Sequence, residues 1–423
     1  MLREPVQRQP SCDDSTEPSM LSVEQARQQI LSTLARVPGE EKLSLKLALN
    51  RFLAQDVVSP IDVPGHTNSA VDGYAFNCSA LTADGPQQLA VIGTAYAGKP
   101  YAGTCAAGQC VRIMTGAPIP PTTDTVVMQE HVEIVRGGSI RFDAIKRGAN
   151  VRQAGEDIGT GETVLKSGKR LSPADLGVLA SLGFAEVRVH RRPRVAFFST
   201  GDELRSVGEA LAEGEIYDSN RYSLYGMLAR QDTEIIDMGT VVDDPQAIRD
   251  ALTTAAQIAD VVITSGGVSV GEADYIKKVL LELGNIEFWK IAMKPGRPLT
   301  FGRIGESLFF GLPGNPVAVM VTYYQFVQPA IHYLAGGGFL RPLTLTATCA
   351  TAIRKRSGRF EFQRGVLSRD DKMGEYVVHK TGKQGSGILT SMSLANCFIL
   401  LPEDRGDIAA GEIVTVQPFD GLV

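Results

Sequence analysis

The sequence predicts a multidomain protein of α/β plus β class. An α/β domain with a parallel-type sheet is preceded by a helical linker domain that carries an inserted β domain, and a small β-barrel follows at the C-terminus. Three observations predict it. Between residues 191 and 336, continuous apolar runs alternate with helical patterns, as strands buried on both faces of a parallel sheet require. Residues 59–145 carry short alternating runs broken by Gly, Pro and Thr, with helical signals on either side. Beyond Gly336-Gly337-Gly338 the pattern is of strands alone.

In order along the chain, residues 1–19 are polar, contain Pro5, Pro10 and Pro18, and lack the apolar segment of a secretory signal, so they read as a disordered tail. Ser22 opens a helix. Gln25 completes a capping box, and Ala26, Ile30, Leu31 and Leu34 follow at helical spacing. A second apolar-periodic stretch covers 43–53. Strands in the insertion are expected near 89–92, 110–114, 126–128 and 140–142. Ser172 and Pro173 begin another helix, stopped by Gly183. The pieces 20–58 and 146–190 are expected to form one domain that the β insertion, 59–145, interrupts. In the α/β domain, 191–336, strands at 195–199, 235–239, 260–264 and 308–311 alternate with helices. These helices lie at 219–229, after Asp244-Pro245, along Ile276, Val279, Leu280 and Leu283, and from Asn315-Pro316 to Leu334. Strands at 343–349, 360–367, 376–379, 397–401 and 413–416 complete the barrel domain, 337–423.

Composition bounds the function. Apolar residues are 43% and charged residues 21% of the 423, with a net charge of −5, which is ordinary globular composition and unlike a basic nucleic-acid binder. No apolar run approaches the roughly 18 residues of a membrane helix. Six cysteines form no CxxC and five histidines form no HExxH, so free buried thiols are expected, a zinc site is not, and a cytoplasmic location follows.

Three loops leave the carboxyl ends of the expected parallel strands, where such sheets bind ligands. Residues 265–275, SGGVSVGEADY, place Gly266, Gly267 and Gly271 beside Ser265 and Ser269, with Glu272 and Asp274 immediately after. Glycines let backbone N–H groups approach an anion, and the acids would repel that anion unless a cation such as Mg²⁺ lies between. The bland alternative is a glycine-rich turn with Asp274 capping a helix. Residues 199–203 combine the hydroxyls of Ser199 and Thr200 with Gly201, Asp202 and Glu203, which could equally be a helix cap. Gly311-Leu312-Pro313-Gly314-Asn315-Pro316 is a rigid turn into a helix whose N-terminus can face an anion. Lys290, Lys294 and Arg297, stiffened by Pro295 and Pro298, suit an oxyanion, although a solvated basic loop would look the same. Asp243 stands beside Asp244, which reads as a helix cap. In the insertion, residues 62–74 and 112–118 are dense in polar and turn residues and contain Asp72 and Thr115.

The ordered segments DVPGHTNSAVDGYAF, RIMTGAPIP, GEDI, FSTGDEL, IYDSNRY, DDP, SGGVSVGEADY, KPGRP, GLPGNPVA and FQRG resemble the MoeA family of molybdopterin molybdenumtransferases, also found as the E domain of gephyrin. The resemblance covers residue 20 onward. It implies an elongated homodimer in which 20–58 and 146–190 form the helical dimerisation domain and 191–336 the molybdopterin-binding α/β domain. It also implies a cleft shared between the α/β domain of one subunit and the inserted domain of the other. The implied reaction takes adenylylated molybdopterin and molybdate, inserts molybdenum, and releases AMP with Mg²⁺. Carried over by motif, Asp72, Thr115, Glu203, Asp243, Lys290 and Lys294 are implied to be catalytic. Asp274 and Glu203 are implied metal ligands. Thr200, Gly201, Ser265, Gly266, Gly267, Ser269, Gly271, Arg297, Pro313, Gly314, Asn315 and Pro316 are implied to bind the cofactor. Implied partners are the adenylyltransferase and apo-molybdoenzymes, with no nucleic acid and no membrane.

Two positions depart from the pattern or stay without a role. Arg297 replaces a lysine common in the family, and His66 is variable there. Three rival readings remain at this level: a molybdopterin adenylyltransferase, a non-catalytic gephyrin-like scaffold, and a generic sugar-phosphate or nucleotide binder.

Overall fold

The computed structural model describes residues 20–81, 85–266, 275–371 and 374–419, with 275–277 and 288 described by their backbone alone. Among these, the residues up to Glu41 together with those from His190 onward form one compact unit, and Lys42–Val189 form the other.

The first unit is built on a six-stranded sheet. Its strands are β1 (Arg194–Thr200), β2 (Glu234–Val241), β3 (Val261–Ser265), β4 (Gly284–Lys290), β5 (Pro298–Ile304) and β6 (Ser307–Leu312). The spatial order is β2-β1-β3-β6-β5-β4. The first four strands run parallel, β5 runs antiparallel to β6, and β4 runs antiparallel to β5. The sheet is therefore mixed at one edge. That edge was not anticipated, because β4 places polar Asn285 and Glu287 between apolar residues and ends in Lys290, so it reads as part of a basic loop.

Both faces of the sheet are covered. On one face Phe198, Val262 and Phe309 pack on Ile248, Leu252, Val279 and Leu280 from helices Pro245–Ile258 and Tyr275–Leu283. On the other, Phe197, Ile263 and Phe310 pack with Leu224, Val319 and Phe326. Val23, Ala26 and Ile30 from helix Val23–Ser32 join the same core, as do Phe362 and Phe398 of the barrel. Each such phenylalanine removed from water contributes about 1.5–3 kcal/mol.

The capping box of Ser22 and Gln25 is present, with Gln25 N–H donating to Ser22 Oγ at 3.1 Å and Ser22 N–H to Gln25 Oε1 at 2.8 Å. The helical run after Asn315 reaches Leu334 as expected, through a buried π-helical turn at Tyr323–Val327. Asn315 occupies the cap position, but its side chain makes no capping hydrogen bond.

The barrel strands are β7 (Leu345–Cys349), β8 (Phe360–Arg369), β9 (Tyr376–Lys380), β10 (Cys397–Leu401) and β11 (Ile413–Pro418). Pairings β8–β9, β9–β7, β7–β11, β11–β10 and β10–β8 close the ring, so these five strands leave no free edge. A short strand, Met293–Lys294, adds parallel to β8 at Phe360 and Glu361.

In the second unit the expected insertion strands all form, within a six-stranded mixed sheet. Its order is Thr125–Met128, Gly73–Phe76, Gln109–Ile113, Gln87–Ala95, Ser139–Phe142 and Glu133–Val135. Apolar side chains cover both faces, Phe76 and Ile140 on one and Val111, Ile113 and Val126 on the other. The flanking pieces pair Val57–Val58 with Thr163–Leu165, and a second two-stranded ladder joins Asn68–Ser69 of the insertion to Val151–Arg152. They also contribute helix Pro173–Ser181, whose Leu179 packs on Leu53, Leu171 and Val187.

Ser172 caps that helix through a box with Asp175, whose buried carboxylate also receives Lys169 at 2.6 Å. Ser172→Ala removes the cap and is expected to destabilise this unit by about 1 kcal/mol, read as a lower midpoint in urea unfolding.

Among the described cysteines, Cys105, Cys110, Cys349 and Cys397 are buried free thiols and Cys78 is partly buried. No described helix is long and apolar enough to cross a membrane.

Candidate functional site

Parallel register brings the loop ends together before any ligand is considered. Ser199 of β1 pairs with Ser265 of β3, Thr200 with Val241 of β2, and Ser265 with Leu312 of β6. The loops after Thr200, Val241, Ser265 and Leu312 therefore leave one edge of the sheet side by side. Gly266 sits in the middle of this edge. Its N–H donates to Leu312 O at 3.2 Å, and its φ is +92°. A Cβ on Gly266 would stand 2.5 Å from the carbonyl oxygen of Thr200, so only glycine fits between the 199–203 and 265–275 loops, the first and second in chain order. On its other side, a Cβ on Gly314 would be 3.8 Å from Gly266 Cα, so the third loop touches the second. Gly266→Ala is accordingly expected to splay these loops and to lower ligand affinity, measurable by equilibrium binding.

Residues 267–274 lie outside the described residues, and with them Gly267, Ser269, Gly271 and Asp274. The first loop is not a helix cap. After Gly201 the chain forms the short strand Leu204–Arg205, paired with Ile216–Tyr217, and Glu203 folds its carboxylate back onto Gly201. Asp244 caps helix Pro245–Ile258, its Oδ1 accepting from Gln246 N–H and Ala247 N–H at 2.9 Å each. Asp243 has a different setting. Its N–H donates to Asp202 Oδ1 at 3.2 Å. Burial, followed by the charges of Asp202 and Glu203, raises its carboxyl above the ordinary carboxylate value.

That acidic corner bears on Mg²⁺. Among the described residues, no group of three or more His, Cys, Asp or Glu side chains converges into a metal cage. Mg²⁺ needs no such cage, because it keeps waters and takes one or two carboxylates plus substrate phosphate. Glu203 and Asp243, like-charged and close enough that Glu203 helps raise the Asp243 carboxyl, fit that partial role.

Lys290 and Lys294 are exposed, and Arg297 is half-buried. Lys294 Nζ is 3.8 Å from Glu361 on β8. Arg297 holds the turn through its carbonyl, which accepts from Ile291 N–H at 2.8 Å. In the third loop Pro313 is buried, while Gly314 and Asn315 are exposed. Pro316 has no N–H, and Val317 N–H is taken by Ser386 O at 3.0 Å, so much of this helix start is already occupied.

In the second unit the two predicted residues meet. Asp72 Oδ1 accepts from Thr115 N–H at 2.8 Å and from Thr115 Oγ1 at 2.7 Å. These two bonds hold the Asp72 carboxyl below its ordinary value. Asp72-Gly73 is not a turn: Gly73 begins a strand and presses so close to Val127 that a Cβ would lie 2.0 Å from its carbonyl oxygen.

Some residues were not singled out from the sequence. Asn220, in the first turn of helix Ser219–Ala229, donates from Nδ2 to Ser265 Oγ at 2.9 Å and to Gly314 O at 2.7 Å. Asp218 caps that helix and accepts from Thr240 Oγ1 at 3.3 Å. Arg364, 1% exposed, donates to Ser391 Oγ at 3.0 Å and Gly385 O at 3.1 Å, and so organises the barrel loop that reaches Val317. The cue for Asn220 was available in its motif, IYDSNRY, but an exposed-looking polar residue at a helix start carries no special signal.

A mostly parallel sheet whose carboxyl edge gathers glycines and acids, joined to a closed barrel, is the arrangement of a ligand-binding α/β protein. Three family models match in order: the MoeA N-terminal region (domain I and II) at 21–183, the probable molybdopterin binding domain at 196–333, and the MoeA C-terminal region (domain IV) at 346–419. The chain is 44% identical to a molybdopterin molybdenumtransferase of Haemophilus influenzae, over 96% of this chain and all of that one. It is 31% identical to gephyrin of Dictyostelium discoideum, over 94% of this chain and 62% of that one. The crystal structure of a molybdopterin biosynthesis MoeA protein from Pyrococcus horikoshii OT3 superposes with a TM-score of 0.83 at 29% identity, covering 95% of this chain and all of that one. The chain belongs to the MoeA family of molybdopterin molybdenumtransferases.

Proposed function

We propose that this protein inserts molybdenum from molybdate into molybdopterin presented as its adenylate, releasing AMP, as a step of molybdenum cofactor biosynthesis. The observation that carries this reading is the meeting of Thr200, Gly266 and Gly314 at one sheet edge, beside the acids Glu203 and Asp243. Close-packed glycines expose backbone donors to a phosphate. Lys290, Lys294 and Arg297 supply the positive charge that molybdate and phosphate oxyanions need. Glu203, Asp243 and, from its place in the sequence, Asp274 would hold Mg²⁺, which neutralises phosphate charge when bound. Thr200, Gly201, Ser265 to Gly267, Ser269, Gly271 and Pro313 to Pro316 bind and orient the pterin and its phosphates in this reading. No Ser/Cys–His pair is evident in the sequence motifs, so no covalent protein intermediate is invoked.

The protein works as a homodimer in this reading, with Asp72 and Thr115 of one subunit completing the site of the other. It acts in the cytoplasm between an adenylyltransferase and apo-molybdoenzymes. The test is to supply the adenylate, molybdate and Mg²⁺ and to measure molybdenum retained on the pterin by mass spectrometry. Molybdenum-loaded product supports the reading, and unchanged adenylate refutes it.

A further inference from the structure

We propose that Asn220 is a positioning residue that staples the second and third site loops at the spacing at which both address one ligand. The proposal rests on the functional reading above for its effect on turnover, and on geometry alone for its effect on the loops. Asn220 reaches from the first turn of helix Ser219–Ala229 to Ser265 Oγ, 2.9 Å away at the end of β3, and to Gly314 O, 2.7 Å away in the loop after β6. The carbonyl of Gly314 can only accept, so the group facing it must be the amide NH₂, and the orientation of the side chain is fixed. Ser265 is itself 1% exposed, so this hydrogen bond lies where water does not compete well.

The other amide atom, Oδ1, is enclosed without a hydrogen-bond partner among the described protein atoms. A buried acceptor left unpaired lowers stability, so folding alone does not favour an amide here. What the amide accomplishes is the bridge. Gly266 N–H donates to Leu312 O just past the end of the β3–β6 ladder, at the root of both loops. The Asn220 bridge lies further out, at Gly314, where the loop turns toward the helix at Pro316. The helix that carries Asn220 is anchored in turn. Asp218 caps its start through Arg221 N–H, and Leu224 and Leu228 are fully buried.

The discriminating variant is Asn220→Asp, which keeps the size and exchanges the donor for an acceptor. Its carboxylate would face the Gly314 carbonyl oxygen and repel it. Its protonated form has an O–H and can donate again, so the defect should shrink as pH falls. A role limited to packing puts no specific repulsion at Gly314, so the penalty of the ionised carboxylate would then appear in the melting curve and not selectively at these two loops.

The experiment compares Asn220→Asp and Asn220→Ala with the full-length wild type by hydrogen–deuterium exchange of peptides covering 262–266 and 311–319, at several pH values, after melting curves establish that each variant is folded. Exchange at both segments is expected to rise roughly ten-fold relative to wild type in Asn220→Ala, since each segment loses one hydrogen bond of ordinary strength. The ratio for Asn220→Asp should match this at high pH and fall toward one on acidification. The KM for the adenylate is expected to rise by a similar factor, with kcat changed less. Exchange equal to wild type in both variants overturns the proposal, as does an Asn220→Asp ratio independent of pH. If the wild type itself releases no AMP, the functional reading fails separately, and the exchange pattern still decides whether Asn220 holds the loops.

Discussion

Asp243→Asn is expected to lose turnover on the order of a hundred-fold while leaving the protein folded and, at neutral pH, slightly more heat-stable. Both halves of this result come from one cause. Burial and the charges of Asp202 and Glu203 raise the Asp243 carboxyl above the value it has in an unfolded chain. In the window between those two values the folded protein holds a proton that the unfolded chain has released, so stability falls as pH rises through it. Above the window the ionised carboxylate is a standing penalty on the fold. Asparagine cannot ionise, so the variant escapes the penalty above the window and shows no advantage below it. Melting temperature against pH, wild type and variant side by side, reads this directly. The same crowding of negative charge is what a divalent cation relieves, so removing one acid should weaken Mg²⁺ dependence and turnover together. A variant with normal turnover would remove Asp243 from the site. A melting difference that does not change with pH would remove the electrostatic explanation.

The second large effect concerns Asp72. Thr115 gives the Asp72 carboxylate two hydrogen bonds at 2.8 and 2.7 Å, which fix its position and keep it ionised. Asp72→Ala is expected to be nearly inactive, and Thr115→Ala to follow it partway, because the carboxylate then keeps its charge but loses its orientation. If the site is shared between subunits, the two kinds of dead protein should rescue each other. Mixing Asp72→Ala with Asp243→Asn, with time for subunits to exchange, forms mixed dimers in which one of two sites is free of both substitutions. Recovery of about a quarter of wild-type activity is expected from a two-fold dimer with random exchange. No recovery, with exchange demonstrated by differently labelled subunits, would place Asp72 and Asp243 in the same subunit's site.

Much of this architecture could be read before any coordinates. The capping box at Ser22, the caps at Ser172 and Asp244, and the five barrel strands follow local rules of spacing and chemistry, and they form where those rules place them. The meeting of the site loops at one sheet edge was legible for a related reason, since Gly266 stands where a Cβ would strike the Thr200 carbonyl. Other features were not legible. The antiparallel edge of β4 and β5 depends on pairing between residues whose own pattern is mixed. Asn220 and Arg364 are polar residues whose importance comes from what lies across from them in space, Gly314 in one case and Ser391 and Gly385 in the other. The raised carboxyl of Asp243 is likewise a property of three acids brought together by two loops.

In the proposed reaction, AMP release from the molybdopterin adenylate is coupled to molybdenum insertion. The most direct measurement is AMP formed per molybdenum retained on the pterin, with the purified protein, adenylate and Mg²⁺, in the presence and absence of molybdate. AMP and molybdenum are expected in equal amounts, with only background AMP when molybdate is left out. AMP release that proceeds equally well without molybdate, or formation of the adenylate from ATP in place of its consumption, would contradict it.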